Sequence, residues 1–164
     1  MLTASMKKAD RSSIRAPRRV AGVAGILLAL LPAIATAVIV VNLPWVRPIA
    51  KGKPAEIFVQ LGSTEGGALV GARSEFAPDV VIASPGAAGK PVERLRLPAG
   101  TPVILAPNAY RLRLSRVDRT LNLGDWVPFV LIIESADGTR QEITARAEVR
   151  KRSALEDHRA GHLH

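Results

Sequence analysis

The residues of this 164-residue chain that could bind a metal ion are concentrated at its C-terminus. All three histidines, His158, His162 and His164, lie within the last seven residues. Imidazole nitrogens are good ligands for divalent copper, nickel and zinc, so the tail is a candidate copper site. The alternative interpretation is a short charged end that carries histidines without binding a metal. The chain has no cysteine, which excludes thiolate ligands, disulfides and a cysteine nucleophile.

No catalytic constellation is recognisable in the sequence. A Ser-His-Asp triad needs a histidine that the fold holds in place, whereas all histidines here lie in a charged tail that we expect to fray. The carboxylates are scattered without an evident acid/base pair. The segment PGAAGKP (85–91) lacks the spacing of a phosphate-binding loop. The sequence therefore predicts a protein that is not an enzyme and has no catalytic residues.

Arginine alternates with leucine in two segments of the chain. Arg111 and Arg113 belong to one segment, and Arg94 and Arg96 belong to the other. Alternate residues of a strand share a face, so each pair is expected on one side of a sheet. If the two strands lie near each other, the four guanidinium groups form a basic surface for an anionic ligand or an acidic envelope protein. The alternative is an ordinary solvated face with acidic neighbours.

The net charge of +9 does not indicate a nucleic-acid partner. Residues 1–37 hold six basic side chains and one acid, whereas the remaining residues hold 17 basic and 13 acidic side chains. Nucleic-acid binders usually concentrate more charge on one face and interleave aromatic residues with it, but aromatics make up only 4% of this chain. We therefore expect no nucleic-acid binding.

The N-terminus has the pattern of an export segment. Basic residues up to Arg19 precede the uncharged run 20–41, and Ala35-Thr36-Ala37 fits a signal peptidase site. The alternative is an uncleaved membrane anchor, because 22 apolar residues can span a bilayer. Both interpretations place the following domain outside the cytoplasm, in the periplasm or its equivalent. Membrane contact is expected only through this segment, and only if it stays uncleaved.

From residue 38 onward the sequence predicts an all-β domain. Short apolar or alternating runs recur between Gly, Pro, Asn and Asp, without a helical stripe. Such a pattern favours an antiparallel β-sandwich of the cupredoxin or immunoglobulin kind over 38–150, followed by a flexible tail at 151–164. The predicted strands are 38–42, 55–61, 68–74, 79–84, 91–97, 101–106, 109–117, 126–135 and 140–150. Asp137-Gly138 predicts a hairpin between the last two.

The order and spacing of these segments resemble the periplasmic copper chaperones of the PCuAC type. The opening VIVVNLPWVRP (38–48) is similar to the first strand and turn of that family, and the strongest stretch runs from Leu97 to Gly138. The positions that match the family pattern there are Gly100, Leu105, Pro107, Tyr110, Leu112, Leu114, Leu121, Gly124, Asp125, Val127, Pro128 and Glu134. The resemblance implies a cupredoxin-like sandwich that works in envelope metal handling.

The chain departs from that family at the expected copper ligands. The resemblance implies two histidines and two methionines around Cu(I), which are soft ligands for a soft ion. Arg111 and Arg113 stand at the His-x-Met pair, and Ala83 stands near the position of the earlier histidine. Both methionines lie in the first six residues. The resemblance thus predicts a binding or accessory module whose family copper site is lost. The alternative is a working copper chaperone that uses the C-terminal histidines.

Overall fold

A computed structural model of the protein describes residues 37–152 and contains ten β-strands and no helix in that range. The strands are β1 (Ile39–Val46), β2 (Ala55–Ser63), β3 (Gly67–Arg73), β4 (Val80–Ala83), β5 (Pro91–Val92), β6 (Leu95–Leu97), β7 (Val103–Leu105), β8 (Arg111–Leu114), β9 (Trp126–Glu134) and β10 (Arg140–Val149). The predicted export segment up to Thr36 and the histidine tail lie outside the described residues. No helix with the length and apolar character of a bilayer-spanning segment occurs between residues 37 and 152.

The predicted all-β sandwich is confirmed, and each of the nine predicted strands is present. One of them is divided in two, because the chain changes partners within it. Val92 of β5 pairs with Ile82 of β4, whereas Leu95 of β6 pairs with Leu69 of β3. The predicted hairpin is also present, since Ser135 N donates to Thr139 O at 2.9 Å around the turn.

The strands follow the order β5-β4-β8-β2-β1-β10-β9-β3-β6, with β7 on β2. All ladders are antiparallel except the one between β1 and β10, which is parallel and covers only Trp45↔Glu148 and Val46↔Val149. The first half of β1 pairs with β2 alone. A register shift between Asn42 and Trp45 separates the two halves. The sheet is therefore open between the first half of β1 and the first part of β10.

The core is aliphatic, as the low aromatic content requires. Leu, Ile and Val side chains from both halves of the sandwich fill it, together with Phe129, which is 1% exposed. Trp45 and Phe58 pack on each other outside that cluster, with their ring centroids 4.6 Å apart. On β10 the odd residues from Ile143 to Val149 face this core and the even residues face solvent, which is the alternation that the sequence predicts.

Candidate functional site

The three residues that the resemblance places at the copper ligands lie together in the structure. Strands β4 and β8 pair so that Ala83 stands directly opposite Arg111, and Val81 stands opposite Arg113. On the other side of β8, Arg113 is opposite Glu56 of β2. The candidate site is therefore built on three adjacent strands, which hold its residues rigidly.

The guanidinium group of Arg111 is buried, and each of its three nitrogen atoms donates at least one hydrogen bond. Only 3% of its side chain is exposed. Its Nε donates to Glu56 Oε1 at 2.6 Å, and Nη2 donates to Gly86 O at 2.7 Å. Nη1 donates to Ser84 O at 3.0 Å and to Ala109 O at 3.3 Å. One carboxylate and three carbonyl oxygens thus balance the charge that burial would otherwise leave uncompensated.

The loop after β4 is shaped around this guanidinium group. Ser84 N donates to Lys90 O at 2.9 Å and closes the loop. Gly89 has a φ of +46°, and a Cβ atom there would lie 2.6 Å from Nη2 of Arg111 and 3.2 Å from the Cβ of Ala83. Glycine is favoured at this position because φ is positive and a Cβ atom would force the hydrogen-bonded guanidinium group to shift.

Arg113 lies on the same side of its strand as Arg111 and contacts the same loop. Its Nη1 donates to Ala88 O at 2.9 Å, and its side chain is half-buried. A polar groove of about 460 Å³ opens beside the Arg111–Glu56 pair and also includes Asn108. Arg111 lines this groove but is only 3% exposed, whereas the half-buried Arg113 keeps part of its side chain accessible.

The other two arginines of the predicted basic surface lie elsewhere in the sheet. Arg94 forms an ion pair with Glu134, which also accepts a hydrogen bond from Arg140 Nε at 3.0 Å. Hydrogen bonds from Arg94 and then Arg140 hold the pKa of the Glu134 carboxyl below its usual value. Arg96 is exposed on β6, opposite Ala68 of β3.

The four arginines do not form one exposed surface of the kind that the sequence suggested. Strand β6 pairs with β3, whereas β8 pairs with β2 and β4, so the two Arg-Leu-Arg segments are not neighbours in the sheet. Arg111 is also buried. Glu56 and Gly89 were not predicted as site residues. Glu56 is a lone acid within the apolar run AEIFVQL, which was a usable signal.

The side chains at the candidate site do not fit a Cu(I) ion. Residues 37–152 contain no histidine, methionine or cysteine. In the same range no three His, Cys, Asp or Glu side chains come together as a metal-binding group. The positions that the resemblance assigns to ligands carry two cations and a methyl group instead of soft donor atoms. His158, His162 and His164 lie outside the described residues.

A protein-family model described as "Putative lipoprotein LpqE-like" matches residues 39–147. The chain belongs to this LpqE-like family. A comparison with curated proteins gave no match.

Solved structures with the same fold include two PCuAC domains and apo-DR1885. The apo PCuAC domain from PmoF1 has a TM-score of 0.59 and 22% identity, over 68% of this chain and 92% of that one. The copper-bound PCuAC domain from PmoF2 has a TM-score of 0.56 and 23% identity, with the same coverage. Apo-DR1885 from Deinococcus radiodurans has a TM-score of 0.50 and 16% identity, over 92% of this LpqE-like chain and 98% of that one. The predicted resemblance to PCuAC domains is thereby confirmed, and it establishes the fold.

Proposed function

We propose that this LpqE-like protein is an extracytoplasmic, non-enzymatic binding module of envelope metal handling, in which arginine side chains stand at positions of the Cu(I) ligands of the PCuAC fold. The observation that carries the proposal is the buried Arg111 guanidinium group, which is bound by Glu56 and three carbonyl oxygens. The PCuAC resemblance assigns this position to a copper ligand. The sandwich would then act as a scaffold that binds a partner without carrying copper.

Electrostatics support this reading of the site. Arginine stays protonated at any physiological pH, so a copper ion at this position would lie beside a permanent positive charge. To enter, the ion would also have to displace the hydrogen bonds that now hold the guanidinium group. Neither cost is offset, because the described residues supply no sulfur or imidazole donor.

The location outside the cytoplasm rests on two observations. The apolar run at 20–41 behind a basic segment is typical of export signals and anchors, and the family description names a lipoprotein. These 164 residues contain no cysteine, so a thiol-linked lipid cannot be attached to any of them. We therefore propose that the N-terminal segment alone directs export, either as a cleaved signal or as an anchor.

Copper titration of the full chain tests the proposal. A variant with His158→Ala, His162→Ala and His164→Ala removes the tail donors without shortening the protein. We expect this variant to take up no Cu(I) from a chelator that competes for the ion. Stoichiometric, tight Cu(I) binding by this variant would refute the proposal.

A matched gain-of-function variant shows whether the position itself is correctly assigned. Ala83→His, Arg111→His and Arg113→Met, added to the histidine-free tail, place two imidazoles and one thioether on neighbouring strands. We expect this variant to gain Cu(I) binding that the histidine-free parent lacks. Failure to gain it in a folded protein would mean that the ligand positions are assigned wrongly.

A second candidate function is copper binding through the tail itself. It is favoured by the concentration of all three histidines between residues 158 and 164. It predicts Cu(II) binding by the natural chain that the three alanine substitutions abolish. Equal Cu(II) binding by both proteins, or none by either, would exclude it.

For the scaffold function we propose an acidic envelope protein or an anionic ligand as the partner. Arg96 is exposed and Arg113 is half-buried with one hydrogen bond, so these two retain accessible donors. Binding of a polyglutamate peptide at low salt should weaken when both are replaced by serine, and should fall as salt screens the charges. Arg47→Ser, at an exposed arginine just after β1, is the control; an equal loss there would indicate unspecific attraction.

A further inference from the structure

On the side of β10 that faces β1, several backbone groups have no ladder partner among the described residues. Val149 N points towards the β9 side and donates to Asp125 O at 2.8 Å. Arg150 N points the other way and donates to Val46 O of β1. N–H and C=O groups alternate direction along a strand, so the even residues of β10 direct theirs away from β9. Strand β1 covers this edge only at Glu148 and Val149.

Side-chain burial along β10 changes where β1 leaves it. The inward-facing Ala147 and Val149 are buried, with 0% and 1% exposed. The inward-facing Ile143 and Ala145, on the same face of the same strand, are only partly buried. The segment from Glu142 to Arg146 is therefore an open edge with apolar surface behind it, which is the kind of edge that pairs with another strand.

The charges on the outward face of this edge are complementary when two copies of β10 run antiparallel. The even residues are Arg140, Glu142, Thr144, Arg146 and Glu148. If two copies of β10 run antiparallel and Thr144 faces itself, Glu142 of each copy comes opposite Arg146 of the other. A register centred one residue earlier places Arg140 opposite Arg146, and one centred one residue later places Glu142 opposite Glu148. Opposite charges in directly paired positions stabilise a sheet, and like charges destabilise it.

We propose that the open edge of β10 binds a second copy of this chain, in an antiparallel register centred on Thr144. The pairs 142–146, 144–144 and 146–142 each exchange two backbone hydrogen bonds, and Ile143 of each copy packs beside Ala145 of the other. The result is a two-fold symmetric dimer with one continuous sheet through both subunits. Glu142 would then form ion pairs with Arg73 of its own chain and with Arg146 of the other copy. Glu134 already pairs with two arginines, Arg94 and Arg140, in this way.

Site-directed crosslinking tests this register directly, because the natural chain has no cysteine. Thr144→Cys in the full chain, kept in mild nonionic detergent, places the two introduced thiols opposite each other. The Cα atoms of the two copies at this position would be about 5.5 Å apart, which suits a disulfide. Ile104→Cys, on β7 and 55% exposed, is the control. We expect a disulfide-linked dimer of the Thr144→Cys variant only; no dimer, or equal yields from both variants, would overturn the proposal.

Charge reversal provides an independent measurement. Arg146→Glu puts two acidic pairs across the interface, and we expect it to raise the dimer dissociation constant about tenfold or more in sedimentation equilibrium. Adding Glu142→Arg restores opposite charges and should restore the dimer. A natural chain that stays monomeric at all concentrations, or an Arg146→Glu variant that dimerises unchanged, would refute the pairing. Neither result bears on copper binding, so this inference stands or falls separately from the proposed function.

Discussion

The tetrapeptide Arg-Leu-Arg-Leu occurs twice in this protein, at 94–97 and at 111–114, with different outcomes. In both copies the leucines are buried in the core. The first arginine, however, is 55% exposed at Arg94 and 3% exposed at Arg111. The copies differ in their neighbours: β6 pairs with β3 only, whereas β8 lies between β2 and β4 and is covered by the loop 84–90. The same local sequence therefore produces a surface ion pair in one place and an internal structural cation in the other.

This comparison shows that alternation determines which side chains share a face, while the neighbouring elements determine whether that face is buried. At Arg94 the interaction with Glu134 is exposed to solvent, where ion pairs contribute little. At Arg111 the carbonyl oxygens of Ser84 and Gly86 depend on the guanidinium group for their hydrogen bonds. Substitutions at the two segments and in the loop 84–90 therefore test this difference.

Replacing Arg111 should have the largest effect. Arg111→Ala removes four hydrogen bonds and leaves three carbonyl groups and Glu56 without this partner in a partly covered site, so we expect the free energy of unfolding to fall by about 3 kcal/mol. Arg94→Ala, the same change in the other copy, should cost about 0–1 kcal/mol. Urea unfolding of the two variants measures both values. Equal losses would mean that the buried arginine has no special structural role.

Replacing Gly89 in the loop 84–90 should cause the second largest loss of stability. Gly89→Ala places a Cβ atom 2.6 Å from Nη2 of Arg111, so we expect a loss of about 2 kcal/mol. The control is Gly100→Ala, where φ is +67° and no atom lies within 4 Å of the added Cβ, so only backbone strain of about 1 kcal/mol applies. In the Arg111→Ala background the difference between the two glycine variants should shrink. A difference that persists there would show that the guanidinium group is not its cause.

The loss of stability on replacing Arg113 should lie between the losses for Arg111 and Arg94. Arg113 is half-buried and donates one hydrogen bond, to Ala88 O, so Arg113→Ala should lower the free energy of unfolding by about 1 kcal/mol. Hydrogen exchange should at the same time speed up in the loop 84–90 more than elsewhere, because one of its contacts with β8 is gone. A loss as large as that of Arg111→Ala would show that the two arginines act as one unit.

The sequence predicted the sandwich well, because the signals for it are local. Apolar alternation placed the strands, and Asp137-Gly138 identified the last hairpin. The boundary between β5 and β6 was missed, because it depends on the change of partner between Val92 and Leu95.

The candidate site was predictable only in part. Alternation correctly put Arg111 and Arg113 on one side of a strand, and the PCuAC resemblance implied the nearby Ala83, which pairs with Arg111. Alternation gave no information on burial, since the loop that covers Arg111 comes from more than twenty residues away in the chain. The separation of Arg94 and Arg96 from β8 is likewise a property of strand order, which the residue pattern does not encode.

The smallest effect should appear in the response of the exposed pair to acid. Arg94 and then Arg140 lower the pKa of Glu134 from its ordinary value of 4.5, so in acid the folded protein holds fewer protons on this carboxyl than the unfolded chain does. The stabilisation is fully present above pH 4.5 and is lost as pH falls through the lowered pKa. Thermal unfolding between about pH 7 and about pH 2.5 should therefore show a shallower acid decline in Arg94→Ala than in the natural protein. Identical declines would mean that this pair contributes nothing to stability, and that of the two Arg-Leu-Arg-Leu segments only the buried one contributes through its first arginine.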